Sequence, residues 1–185
     1  MLRKFGVFML AACLGACAGY VRPPPSAFHE ILNQPYHFDS GDRLRITVYD
    51  QPGLTQVYLV DQAGYISMPL IGQVAARGAA AQTLAQRISE KLAAGYLKRP
   101  DVSVDVDTYR PFFIMGEVKN AGEYPFVAGM TAQNAIAIAG GFSARATQTN
   151  IDITRQINGE IMSGRVPITD PIRPGDTIYV RERYF

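Results

Sequence analysis

The chain contains no tryptophan, two histidines and two cysteines. Both cysteines, Cys13 and Cys17, fall at the extreme start, so the folded body has no internal disulfide and no cysteine metal site. An excess of either sign of charge is also missing. Two of the 18 basic residues, Arg3 and Lys4, sit in the first four positions, and the remainder balance the 16 acidic ones. Without a basic block there is nothing to attract nucleic acid or an anionic membrane face. No apolar run reaches the ~20 residues that a spanning helix needs. The longest, Phe5 to Cys13, is about half of that. Neither a Gly-x-Ser-x-Gly nucleophile elbow nor a cysteine nucleophile occurs beyond the start of the chain.

What is present begins with a targeting segment. Arg3 and Lys4, the apolar run, and Gly15-Ala16 have the layout of an export signal over residues 1–16. Leu14-Gly15-Ala16-Cys17 resembles the lipobox of bacterial lipoproteins. That resemblance implies cleavage between Ala16 and Cys17, lipidation of Cys17 and, with Ala18 following instead of Asp, sorting to the outer membrane. Leu10-Ala11-Ala12-Cys13 is a rival match with a shorter apolar core, and a plain cleaved signal with incidental cysteines is the bland alternative. Acyl chains add about 0.8 kcal/mol per buried methylene, enough for three of them to anchor the protein. Residues 17–35, with Pro23-Pro24-Pro25, read as an extended tether. His29 and His37 sit in or beside it and have no visible companion ligands.

Beyond the tether the period of the apolar residues changes repeatedly. Leu44, Ile46 and Val48 alternate with Arg43, Arg45 and Thr47 after the turn residues Asp39-Ser40-Gly41-Asp42, predicting a half-buried strand. Val57 to Val60 and Tyr65 to Leu70 flank Asp61-Gln62-Ala63-Gly64 and read as a hairpin, with Pro69 at an edge or bulge. Leu84, Ile88, Leu92 and Tyr96 recur every four residues on one helix face, and Gly95 is placed to end that helix. Pro100 turns the chain into Val102, Val104 and Val106. A second unit follows: a strand from Phe112 to Val118, a turn at Asn120-Ala121-Gly122, and a strand from Glu123 to Val127. Thr131 then caps a short helix, Ala132 to Ala139, stopped by Gly140-Gly141. Near the end, Gly175-Asp176 leads into the strand Thr177 to Arg181, echoing Gly41-Asp42. The fold class is α+β, two small mixed modules at 36–108 and 109–185, each near the lower size limit of a domain.

These motifs, in this order, resemble the outer-membrane polysaccharide export family (Wza-type proteins). Ser40-Gly41-Asp42, Val60-Asp61, Gly64-Tyr65-Ile66, Pro69-Leu70-Ile71-Gly72 and Arg99-Pro100-Asp101-Val102 match its N-terminal export domain. Met115-Gly116-Glu117-Val118, Ala121-Gly122-Glu123-Tyr124, Gly129-Met130-Thr131 and Pro174-Gly175-Asp176 match its soluble-ligand-binding β-grasp (SLBB) domain. The resemblance implies a homo-oligomeric ring, lipid-anchored at the periplasmic face of the outer membrane. Capsular or extracellular polysaccharide would pass through it, served by an inner-membrane polysaccharide copolymerase and no cofactor. One β-grasp unit is visible where larger members have more. No C-terminal amphipathic helix of the family's kind is visible, and the resemblance then implies a separate outer-membrane barrel to complete the route.

Catalysis has little to stand on. Asp105 and Asp107 alternate with valines, which puts both on the solvent face of a strand; hydrolases instead hold two carboxylates roughly 5 to 9 Å apart across the bond. Glu117 and Glu123 flank a turn. Gly140-Gly141 ends a helix, whereas anion sites use helix starts. No catalytic or metal residue is assigned. A monomeric saccharide-binding receptor is the stronger rival, because Tyr109, Phe112, Phe113, Tyr124 and Phe126 have rings that can stack on sugars, although strand alternation sends some of them into the core.

Overall fold

The computed structural model describes residues 35–157 and 160–183. The expected signal segment with Ala16, the acceptor Cys17, His29 and the terminal Tyr184-Phe185 lie outside these residues.

The first module is built on β1 (Arg43–Val48), whose burial alternates strictly: Leu44, Ile46 and Val48 point in, and Arg43, Arg45 and Thr47 point out. It is the centre of a three-stranded antiparallel sheet. β2 (Gln56–Leu59) lies on one side and β5 (Val102–Thr108) on the other, with a bulge where Arg43 meets Leu44. α1 (Ala81–Ala93) lays Leu84, Ile88 and Leu92 onto this core. All three are fully buried, and each contributes about 1.5–3 kcal/mol of burial free energy.

Two expectations in this module need correction. Val57–Val60 does not form a hairpin with Tyr65–Leu70. β2 pairs with β1, and β3 (Tyr65–Met68) instead pairs with β4 (Gly72–Ala75), bringing Ile66 opposite Val74. Pro69 therefore lies in a turn, not in a strand. That turn is made by left-handed backbone at Leu70 (φ 70°) and Gly72 (φ 66°), and its Pro-Leu-Ile-Gly sequence lacks the Asn or Asp that usually advertises a hairpin. Tyr96 lies past the end of α1 and is exposed. The helix closes at Ala94, and Gly95 follows with a nearly extended φ of 158°. On the outer side of α1, Arg87 and Lys91 donate to the carbonyls of Ala75 (2.8 Å) and Gln73 (2.7 Å). These cations satisfy backbone groups of β4 that the hairpin leaves over.

The second module is a five-stranded sheet in the order β7-β6-β10-β8-β9. β6 (Phe112–Gly116) and β7 (Gly122–Tyr124) form a hairpin, and β10 (Thr177–Val180) runs parallel to β6; the other pairings are antiparallel. β8 (Asn150–Ile157) and β9 (Glu160–Pro167) form the far side. α2 (Ala132–Ile138) buries Ala132, Ala135 and Ile136 against the sheet. Its start carries a capping box: Thr131 Oγ1 accepts from the Asn134 N–H, and the Asn134 side chain accepts from the Thr131 N–H. Gly140 and Gly141 are both left-handed and end it. A parallel central pair with a helix across one face is a β-grasp-like arrangement. The buried side chains separate into two clusters, one per module.

Candidate functional site

The two Gly-Asp turns are the same device used twice. In each, the glycine is left-handed (Gly41, φ 92°; Gly175, φ 82°). The aspartate N–H donates to the carbonyl three residues back, Asp42 to Asp39 and Asp176 to Arg173, at 3.2 Å in both. The carboxylate then accepts the N–H of that same residue, at 2.9 Å for Asp42 and 2.6 Å for Asp176. Both aspartates are 0% exposed, and a buried charge needs a partner. Each finds an arginine distant in sequence. Arg155, itself buried, holds Asp176 with two parallel bonds, Nε to Oδ1 at 2.8 Å and Nη2 to Oδ2 at 2.7 Å. Arg110 holds Asp42.

Arg110 stands between the modules. Its N–H donates to Asp42 Oδ1 (3.0 Å), and its Nη1 reaches both the Tyr36 hydroxyl (2.8 Å) and Asp42 Oδ2 (3.3 Å). The Tyr36 hydroxyl in turn donates a hydrogen bond to Asp42 Oδ2 at 2.7 Å. On the opposite side Gly175 packs so closely that a Cβ there would lie 2.6 Å from Arg110 Nε, and its N–H donates to the Pro111 carbonyl. The turn opening one module and the turn closing the other thus grip the same residue. Burial raises the Tyr36 phenol above its ordinary value, opposed by Arg110. Burial likewise pushes the Asp176 carboxyl up, against the pull of Arg155 and the Arg173 N–H.

Beside this network lies an open cleft of about 330 Å³. Tyr36, Tyr109 and Phe126 form one wall, with Tyr109 meeting both neighbours edge to face at 5.1 and 5.4 Å between centroids. Pro171, Ile172, Arg173 and Pro174 form the other. Burial, then the neighbouring Arg155, depresses the Arg173 guanidinium.

The structure sorts the sequence candidates. Tyr109 and Phe126 reach the cleft. Phe112 is fully buried, with Tyr124 stacked on it at 6.0 Å, so both serve the core. Phe113 is exposed on the outer sheet face. Asp105 and Asp107 are exposed on β5; Ser103 bonds the first, and Arg45 and Thr108 bond the second. Glu117 accepts from the Ser143 hydroxyl, while Glu123 sits on β7 opposite Phe113. His37 is exposed. Among the described residues no three His, Cys, Asp or Glu side chains are grouped to hold a metal, and no helix is long and apolar enough to cross a membrane. Sequence reasoning noted the Gly-Asp echo but missed Tyr36, Arg110, Arg155 and Arg173 as its partners; the repeated turn was the one signal pointing there.

Comparison with known proteins divides the chain where the structure does. Residues 31–107 match the family described as polysaccharide biosynthesis/export protein, and residues 111–165 match the SLBB domain. The gap between the two matches contains Arg110. The exopolysaccharide production protein ExoF of Rhizobium meliloti (strain 1021) is 33% identical over 96 residues, which is 51% of this chain and 23% of that protein. The chain therefore spans under a quarter of that relative's length. With an export module and an SLBB module in this order around one shared joint, the chain belongs to the polysaccharide export protein family.

Proposed function

We propose that this protein is a lipid-anchored subunit of a closed ring at the periplasmic face of the outer membrane, through which capsular or extracellular polysaccharide crosses the envelope. The observation that carries this reading is the filled interior. Each module closes on its own apolar cluster, and the cleft between them is far too small for a continuous hydrated passage. A conduit must then lie between copies, in a head-to-tail arrangement that closes on itself. Phe113, Met115 and Tyr179 support such contacts: the strand register places them side by side on the open sheet face, and all three are exposed. The Arg110 joint supports it too, since a rigid two-module unit can repeat around an axis without distortion.

In this reading Cys17 sets every copy at one height, an inner-membrane copolymerase feeds the polymer, and a separate outer-membrane barrel completes the route. The work is conduction, without bond cleavage. Gene deletion with localisation of the polymer is the test: surface polysaccharide is lost and precursor is retained. Unchanged surface polymer would reject the proposal, as would a lipidated protein that stays monomeric in sedimentation. Cys17→Ser is expected to release the protein from membranes. The cleft favours a second reading, a monomeric saccharide receptor, which predicts a lone particle that binds oligosaccharide with micromolar affinity.

A further inference from the structure

We infer that the outer edge of β5 in one copy pairs, backbone to backbone, with the outer edge of β9 in the next copy; the inference rests on the ring reading and names the contact that builds the ring. The observation behind it is an asymmetry present in both modules. The three-stranded sheet ends in β2, of 4 residues, on one side and in β5, of 7 residues, on the other. The five-stranded sheet ends in β7, of 3 residues, and in β9, of 8 residues. A terminal strand offers its row of N–H and C=O groups to any chain that comes by, and short strands or covering side chains are common protections. β2 and β7 are protected by their shortness, and β4 by Arg87 and Lys91 on its carbonyls. β5 and β9 are the long terminal strands, each with a neighbouring strand on one side among the described residues.

Charge decides which edges meet. Both strands turn one face to a core and the other to solvent. On the solvent face of β5 stand Asp105 and Asp107. Arg45 pairs with Asp107, while Asp105 accepts from the Ser103 hydroxyl at 3.0 Å and has no cation among the described residues. One negative charge is left over. On the solvent face of β9 stands Arg165, which shares the single carboxylate of Asp152 with Arg181. One positive charge is left over there. Like charges side by side across a strand pair destabilise it, and opposite charges stabilise it. Two β5 edges would set aspartate beside aspartate, and two β9 edges would set arginine beside arginine. β5 against β9 is the combination that satisfies both.

These two strands lie in different sheets of one chain, so they meet between copies. Each copy then offers β5 to one neighbour and β9 to the other. Such a contact does not stop at a dimer; it propagates, and it closes when the rotation allows. With the helix-covered faces on the same side, three strands of one copy and five of the next form one continuous sheet, and Asp105 comes beside Arg165.

Sedimentation and amide hydrogen exchange of the full lipidated chain in detergent test this. The wild type should assemble beyond a dimer. Its β5 and β9 amides should exchange at least about tenfold more slowly than those of a monomeric variant, while β2 and β7 amides exchange alike in both. Asp105→Arg and Arg165→Asp should each weaken assembly at least about tenfold, and the two together should restore it. Both positions are exposed, so each variant should keep the melting temperature of a folded chain. An assembly that protects β2 or β7 instead, or leaves β5 and β9 unprotected, overturns the edge pairing and leaves the ring standing. A wild type that stops at a dimer overturns it, as does a double variant no better than either single one. A wild type that stays monomeric removes the ring reading and this contact with it.

Discussion

Asp42 and Arg110, 68 residues apart in sequence, are joined twice, through the Arg110 N–H to Oδ1 at 3.0 Å and through Nη1 to Oδ2 at 3.3 Å. One bond comes from backbone and one from side chain, so the contact fixes both the path of the connecting chain and the direction of the guanidinium.

Asp42→Asn puts an amide donor among groups that are themselves donors: the Asp39 N–H, the Tyr36 hydroxyl and Arg110. The expected cost is about 2–4 kcal/mol, as for breaking a buried hydrogen-bonded charge pair. Calorimetry checks both the size and the form of the effect. The wild type should unfold in a single transition, and the variant should separate into two as the modules uncouple.

Asp176→Asn strands Arg155, which is only 4% exposed, as a buried charge without its carboxylate. Denaturant unfolding should show a loss of about 3–5 kcal/mol. Asp107→Asn breaks the exposed pair with Arg45 and should cost less than about 1 kcal/mol. Similar losses in the two variants would mean that burial does not govern these pairs.

Tyr36→Phe reports on the joint through pH. The folded-state pKa of Tyr36 lies above its ordinary value of 10.0, so the folded state keeps a proton that the unfolded state gives up. The contribution is whole below pH 10 and is lost as pH rises beyond it. Wild-type stability should therefore fall more steeply above pH 10 than that of the variant. Parallel slopes for the two proteins would place the Tyr36 hydroxyl outside the network.

Gly116→Ala is expected to be costly where β6 ends. The new Cβ would lie 2.1 Å from the Val180 carbonyl oxygen, and φ there is 88°. Clash and left-handed strain together suggest a loss on the order of 3 kcal/mol. Gly53→Ala, where a Cβ meets nothing within 4 Å, should be nearly neutral in the same melting assay.

The elements legible in the sequence were those whose side chains obey one period. Leu44, Ile46 and Val48 announced β1, and Leu84, Ile88 and Leu92 announced α1, because each set buries one face. β8 and β9 went unread for a physical reason. Their inner face carries Arg155 and Gly164 among Ile151, Ile153 and Val166, so polar and side-chain-free positions interrupt the alternation. The β3–β4 hairpin was misplaced because its turn spends left-handed backbone on a leucine. The joint was legible only in half. A Gly-Asp pair before a strand can be seen in a string of letters, whereas the arginine that answers it comes from another part of the chain and is brought there only by folding.

β5 ends at Thr108 and β6 begins at Phe112, leaving Tyr109, Arg110 and Pro111 to carry the chain from one core to the next. Tyr109 is wedged between two rings, Arg110 is held at both ends, and the Pro111 carbonyl is taken by Gly175. A crossing that short and that occupied has no slack to release. Push on either half and the other must swing with it as one lever, so in the proposed ring any widening or narrowing has to come from sliding at the borders between copies and not from bending at their waists.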